Sequence, residues 1–501
     1  MREKKVVIVG AGVAGMVAGI ELARAGVRCE ILEREPRAGG NLGGWRREGI
    51  EIDNCIHWLC GTREGGALFR LWESCGALGG SVRILRRRAL YTSFAEREGA
   101  RVCFDRDPER TAEQMRAIAP EDKAEIDRFL SAVLAVRRVA RGGFFPGKTL
   151  WEGAALLPYA RRSLGAVAAR FQNKLLRASM TDFLPGVYNA AGFLLTYGNF
   201  TAGNADVPAD GSAAMAARMA ARFCSLGGVL RLGARAEEVL LRGGRAVGVR
   251  LCGRGGEEGE TISADRVILA CDPTAIFGKL LPQDTMPRSL ADLYMRERVY
   301  PVWSALQFSF ATRGARLPFS GTVAFPIRPF TLHGSDHTRL TVRAPQICPA
   351  NADERSARAG VIECLLPIDA RAARQWIAYR KASFSLYAER KSEMAAEILA
   401  RIEDFFPSLR GQLFLLDART PATYRRYLGA EYGAFMSFAL TERDLLHTAK
   451  VLLTQDTDRT AVPRGLTDVR LAGQWMHLPG GLPSAAVSGK RAAAWAIRKE
   501  K

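Results

Sequence analysis

Val6-Val7-Ile8-Val9-Gly10-Ala11-Gly12-Val13-Ala14-Gly15 follows the charged start Met1-Arg2-Glu3-Lys4-Lys5 and decides the fold. The four apolar residues suit a buried parallel strand. Met16 to Ala25 has helix-forming composition, with Gly26 as its C-cap, and Cys29 to Leu32 reads as a second strand. The unit is a βαβ start, and its G-x-G-x-x-G lies where strand turns into helix. There the first glycine permits the tight turn, the second lets backbone approach a pyrophosphate, and the third lets helix and strand pack closely. The free N–H groups of the helix start favour phosphate. Glu33, eighteen residues after Gly15, stands at the end of the second strand. An acid there accepts hydrogen bonds from a ribose diol and disfavours a 2′-phosphate. Gly10, Gly12, Ala14, Gly15 and Glu33 are therefore expected to hold a dinucleotide.

Arg37-Ala38-Gly39-Gly40-Asn41 follows at once. A second glycine pair just after the ribose acid suits a longer cofactor running on across the domain, which points to FAD and adds Gly39, Gly40 and Asn41 to its site. No second G-x-G-x-x-G follows a strand. Gly253-Arg254-Gly255-Gly256 sits in a charged loop after Val249-Arg250-Leu251 and reads as a hairpin turn. One nucleotide site argues against a built-in NAD(P)H domain.

The chain has 501 residues, 48% of them hydrophobic, enough for two or three cores. No stretch approaches 18 consecutive apolar residues, so no transmembrane helix is expected. The start lacks the apolar core of a secretory signal, and a cytoplasmic location is expected. Ten cysteines without C-x-x-C and five histidines show no zinc spacing, so no metal is expected and the thiols read as free. The net charge of +20 is carried mainly by arginine spread throughout, whereas nucleic-acid binders cluster their charge. No nucleic-acid partner is expected. Peripheral contact with the inner face of a membrane is a second use for a basic surface.

Residues 107–180 read as mainly helical, with Pro120-Glu121-Asp122-Lys123 as a helix opening. Residues 213–226 read as a helix, 229–232, 237–242, 246–251 and 267–270 as strands, and 300–370 as mixed strands and loops. Residues 385–404 read as a helix, 469–473 as a strand and 484–498 as a last helix. The expected fold is α/β: a discontinuous Rossmann-type FAD-binding domain (1–85, 205–285 and 455–501) with an inserted α+β substrate domain (86–204 and 286–454).

Three stretches carry a resemblance. The glycine loop runs on to Gly49-Ile50-Glu51-Ile52-Asp53-Asn54-Cys55-Ile56-His57-Trp58. Gly227-Gly228 leads through Ala236 and Val239 to Ala270-Cys271-Asp272. Ala472-Gly473-Gln474-Trp475-Met476-His477-Leu478-Pro479-Gly480-Gly481-Leu482-Pro483 precedes the last helix. In order, they resemble the phytoene desaturase, carotenoid isomerase and retinol saturase branch of the flavin amine-oxidase-like superfamily. The Ile-His-aromatic ending is most similar to the retinol saturase type. The resemblance implies that Ala236 lends its backbone to the adenine and that Cys271, Gly473, Gln474, Pro479, Gly480, Gly481 and Leu482 border the cofactor. It also implies that the last helix points its N-terminus at the isoalloxazine. Asn41 stands where many relatives carry arginine, Asn54 where many carry glycine, and Gln474 replaces a common aspartate.

The expected reaction forms, reduces or isomerises C=C bonds of a lipophilic substrate such as a carotenoid, retinoid or other isoprenoid. A saturase also needs a proton source. His57 is the leading candidate to sit near the flavin, against the alternative of a structural histidine. Tyr432, in Gly429-Ala430-Glu431-Tyr432-Gly433, is the runner-up, against a packed tyrosine. His477 reads as scaffold. Phe144 to Trp151 with Leu156 to Leu176 suits either an interfacial helix at a tunnel mouth or an amphipathic core helix. Two other functions stay open: a flavin amine oxidase, and a non-catalytic lipid-escort protein of the Rab escort kind. The electron partner stays open as well.

Overall fold

In the computed structural model, which describes residues 4–97, 99–142, 155–253, 259–345, 360–443, 461–476 and 480–498, the first strand Lys5–Val9 is the centre of a five-stranded parallel sheet. Val6, Val7 and Ile8 are fully buried, as a strand covered on both faces requires. The strand pairs in parallel with Arg28–Glu33 on one side and Arg266–Leu269 on the other. Val229–Leu232 and Val469–Leu471 complete the sheet at its two edges. In chain order the strands run 3-2-1-4-5. The order reverses between Lys5–Val9 and Arg266–Leu269, and the crevice at the carboxyl ends of such a pair is where doubly wound sheets bind ligands. The glycine loop lies there, with Ala270 and Cys271 opposite.

Helix Val13–Arg24 crosses between the first two strands and packs against the last helix, Gly481–Ile497. A methyl group on Gly489 would lie 2.2 Å from the Ala14 carbonyl oxygen, so only glycine lets the two helices approach so closely. The strands Ala236–Arg242, Arg245–Leu251 and Thr261–Ser263 form a small antiparallel sheet. The stretch 253–256, expected as a hairpin turn, lies between the last two in the chain, and residues 254–258 lie outside the described residues.

A second sheet has seven strands, in the order Leu413–Arg419, Trp303–Thr312, Val361–Asp369, Ser335–Ala344, Gly321–Leu332, Ala89–Phe94 and Arg101–Asp105. The stretch expected as mixed strands and loops is thus mostly regular sheet. Leu306, Phe308, Phe310, Ile362, Cys364 and Leu366 alternate onto one face and pack against helices Ala370–Ala382 and Phe384–Phe405. The intervening residues Gln307, Ser309, Glu363 and Leu365 occupy the other face. A third core gathers helices Pro108–Ile118, Lys123–Gly142 and Ala190–Thr201 around Phe104, Phe129, Phe193 and Tyr197. Leu164, Val167, Leu175 and Leu176 are buried in it, while Arg161, Arg162 and Lys174 face solvent, so 156–176 are amphipathic core pieces. Phe144 to Trp151 lie outside the described residues. No helix among the described residues is long and apolar enough to cross a membrane.

Candidate active site

A cavity of about 1450 Å³ runs from the glycine loop, past the end of the last helix, to the polar face of the seven-stranded sheet. Ordinary ligand pockets measure roughly 300–1,000 Å³, so this one has room for a dinucleotide and a substrate together.

At its nucleotide end the loop is set by local bonds. Gly10 donates to Leu32 O at 2.8 Å and Gly39 to Ala11 O at 2.8 Å, which brings the second glycine pair beside the first. Glu33 is 8% exposed. Its carboxylate accepts from Ala11 N at 2.8 Å and Glu35 N at 2.9 Å, leaving lone pairs for a diol. Burial raises its pKa, and the two backbone donors oppose that rise. Gly10, Gly12, Ala14, Glu33, Gly39, Gly40 and Asn41 line the cavity, and Gly15 lies behind it. There a methyl group would fall 1.9 Å from Gly10 O. Ala234 N donates to Glu33 O at 2.8 Å, which carries Ala236 to the same wall. Burial pushes the Cys271 thiol up to about 12, so it stays protonated and is a poor nucleophile.

The C-terminal motif closes the other side. Gly473, Gln474, Gly480, Gly481 and Leu482 line the cavity, and Pro479 and His477 lie outside the described residues. Gln474 accepts from Gly481 N at 3.1 Å through Oε1 and donates from Nε2 to Phe435 O at 3.3 Å. Asn41 donates to the same carbonyl at 3.2 Å. Asn54, in turn, donates to Asn41 Oδ1 at 3.3 Å. The three positions that depart from the relatives thus form one polar clasp joining the N-terminal loop, the C-terminal motif and residue 435.

These residues fit FAD. A methyl group on Gly12 would meet nothing within 4 Å, so the backbone there is bared to the cleft. The starts of two helices, at Val13 and Gly481, open on the same space.

Beyond the nucleotide end the wall turns apolar, with Trp58, Phe183, Leu184, Tyr188, Leu195 and Trp303. Trp58 and Phe183 lie 4.9 Å apart, Tyr188 and Trp303 6.4 Å. His57 stands on this wall. Asp53 holds its loop by accepting from Cys55 N at 3.1 Å and from Ser212, whose hydroxyl accepts from Ile56 N at 2.9 Å. Enclosure first, then the Arg343, Arg87 and Arg419 guanidiniums, hold His57 well below the usual imidazole range. It is therefore neutral, with one ring N–H and one free nitrogen. Tyr432 is half-buried against the core beneath the FAD sheet, with the Arg374 guanidinium 5.3 Å over its ring. The lining includes Glu431 and Ala434 but not Tyr432.

Sequence reasoning missed the polar face opposite. Arg343 donates to Ile56 O at 2.5 Å and pairs with Glu363. Arg419 donates to Ser309 Oγ at 2.6 Å and Asn54 Oδ1 at 3.4 Å, and Tyr424 to Gln307 Oε1 at 2.5 Å. The available signal was polar residues at alternate positions of an otherwise apolar strand, Gln307 and Ser309. Among the described residues no three His, Cys, Asp or Glu side chains gather as a metal site would need.

Comparison with known proteins follows the same lines. The family profile described as flavin containing amine oxidoreductase matches residues 13–497. The chain is 24% identical over 465 residues to the chloroplastic prolycopene isomerase of Daucus carota, covering 87% of this chain and 72% of that one. It is 24% identical over 518 aligned residues to the lycopene-forming phytoene desaturase of Pseudescherichia vulneris, covering 99% of both. An oxidoreductase from Methanosarcina mazei shares the fold at a TM-score of 0.60 and 13% identity, with 98% of this chain and 100% of that one covered.

Proposed function

The chain belongs to the family of flavin containing amine oxidoreductases, and on that premise we propose that it forms, reduces or isomerises C=C bonds of a lipophilic, isoprenoid-type substrate. The observation that carries this is the apolar wall of Trp58, Phe183, Leu184, Leu195 and Trp303, continuous with the dinucleotide cleft. The relatives named for prolycopene and phytoene support it. FAD, when bound, supplies the acceptor or donor of hydride. The protein binds its ribose and pyrophosphate through Glu33 and the glycine loop, and presents the Gly481 helix start to the far end. The aromatic wall excludes water and aligns a flat conjugated chain. His57 is proposed as the proton carrier, taking a proton from substrate or water at its free nitrogen and, as the transient imidazolium, giving one to the substrate carbon. Tyr432 has a lesser place in the proposal, in the segment that closes the cleft.

The division into an FAD-binding unit (1–85, 205–285 and 455–501) and a substrate unit (86–204 and 286–454) belongs to the same proposal. It is supported by the two sheets, whose strands fall on either side of that partition. So does a tunnel mouth against a membrane face. Arg380 and Lys381 line the cavity, and Arg380 lies 4.5 Å over the ring of Phe384, which is 64% exposed. Cations beside an exposed aromatic suit an anionic lipid surface.

Anaerobic flavin reduction or oxidation, screened against polyenes, enones and amines, tests the reaction. Turnover of a conjugated isoprenoid is expected. Turnover of amines alone would replace this reading with amine oxidation.

A further inference from the structure

We infer that Asn41 and Gln474 act on the cofactor through the Phe435 peptide: from opposite walls they latch the Phe435–Met436 stretch across the cleft, and the latch sets how fast FAD enters and leaves. The stretch lies in residues 429–438, which follow helix Pro421–Leu428 and form neither helix nor strand. Among the described residues, the one backbone hydrogen bond inside that segment runs from Gly433 N to Ala430 O at 2.9 Å. Its course is therefore set from outside. Arg34 donates to the Arg426 and Tyr427 carbonyls at 2.6 and 2.5 Å, just before the segment begins. Ser304 Oγ donates to Gly433 O at 2.7 Å. Ala434 and Phe438 are buried in the core beneath the FAD sheet. Between these anchors Phe435 and Met436 are half-buried and line the cavity.

The two amides come from the two sides of the nucleotide seat. Asn41 belongs to the N-terminal glycine loop and donates to Phe435 O at 3.2 Å, and Gln474 belongs to the C-terminal motif and donates to it at 3.3 Å. Each amide is engaged at both ends, since Asn41 Oδ1 accepts from Asn54 and Gln474 Oε1 from Gly481 N. These bonds join protein to protein. A carbonyl reached from both walls spans the space between them, so a dinucleotide seated there is crossed by the Phe435 peptide. Its release requires the two amide bonds to break. A closure that makes no bond to the ligand has no preference between the filled and unfilled seat. It slows entry and release by the same factor and leaves affinity unchanged. Affinity then rests on the glycine loop and Glu33, and the exchange rate on the two amides.

The test uses FAD-loaded protein and isotopically labelled FAD, and it needs no substrate. Exchange of bound for labelled FAD, followed by mass spectrometry, gives the release rate. Occupancy after dialysis against a fixed, low FAD concentration gives the affinity, and the two together give the rate of uptake. Asn41→Ala and Gln474→Ala are each expected to speed both release and uptake about tenfold, the weight of one hydrogen bond, with occupancy unchanged. Faster release with occupancy reduced to match would mean that the amides bind FAD directly, and would overturn the inference. An unchanged exchange rate in a variant that keeps its fold would overturn it as well. The two substitutions lie on separate walls, so if one variant fails to fold the other decides.

Discussion

At Gly12 the backbone has φ −72° and ψ 178°, a conformation open to any residue, and no protein atom lies within 4 Å of where a side chain would begin. Gly15 differs, because a side chain there strikes Gly10 O. Gly12→Val should therefore leave the stability of the flavin-free protein within about 0.5 kcal/mol and abolish flavin occupancy, whereas Gly15→Val should lose the fold itself. Glu33→Ala should weaken FAD binding by roughly 1–3 kcal/mol. Flavin released on denaturation, counted against protein, checks all three. Asp272, 6% exposed, caps a helical turn by accepting from Thr274 N at 2.9 Å, and burial lifts its carboxyl to about 6. A group raised on folding adds stability below its unfolded pKa, near 3.8, and loses it as pH climbs through its folded one. Asp272→Asn keeps the cap but carries no charge. In urea unfolding of flavin-free protein, its stability relative to wild type should rise by roughly 1–3 kcal/mol between pH 4.5 and 7.5. The glycine loop was legible in the sequence because its parts are contiguous and each glycine acts locally. Gln307, Glu363 and Arg343 were not, because only the register of strands far apart in the chain brings them to one wall.

Among the elements, the βαβ start, the strands at 229–232 and 266–269 and the last helix match their sequence patterns closely. Their apolar runs are short and bounded by glycine. The strand Trp303–Thr312 is buried along almost its whole length, so its alternation is blurred and the sequence gives a weaker signal. Helix Ala370–Ala382, capped by Asp369, follows the preceding strand without a break and escaped notice for that reason. Strands Ala89–Phe94 and Arg101–Asp105 join a sheet whose other members come two hundred residues later, a pairing no local pattern encodes. The packing of the last helix on the first is the joint on which the cofactor site depends. Gly489→Leu should force them apart, costing about 1–3 kcal/mol of stability. Because both helix starts face the cleft, it should also lower FAD affinity. Thermal melting with and without added FAD would show whether the two effects travel together.

For the molecule as a whole, the net charge of +20 and the cations beside Phe384 lead to one expectation. The protein should co-sediment with anionic liposomes at low salt and progressively less as salt screens the attraction. Phe384→Ser should weaken sedimentation further at every salt concentration, and binding indifferent to both changes would argue against a membrane-facing mouth. The interleaved layout has a further outcome, in time rather than space. The parallel sheet receives its fifth strand, and the cleft its second helix start, from residues 469–497. A ribosome adding ~5–20 residues per second keeps the glycine loop waiting on the order of a minute for that segment. During that interval the strand Arg266–Leu269 is an uncovered sheet edge, and the nascent chain has no complete seat for its flavin. Cofactor loading is therefore expected to follow synthesis of that segment, and a chain ending before Val469 should emerge with an open edge and an empty cleft, a substrate for proteases rather than an enzyme.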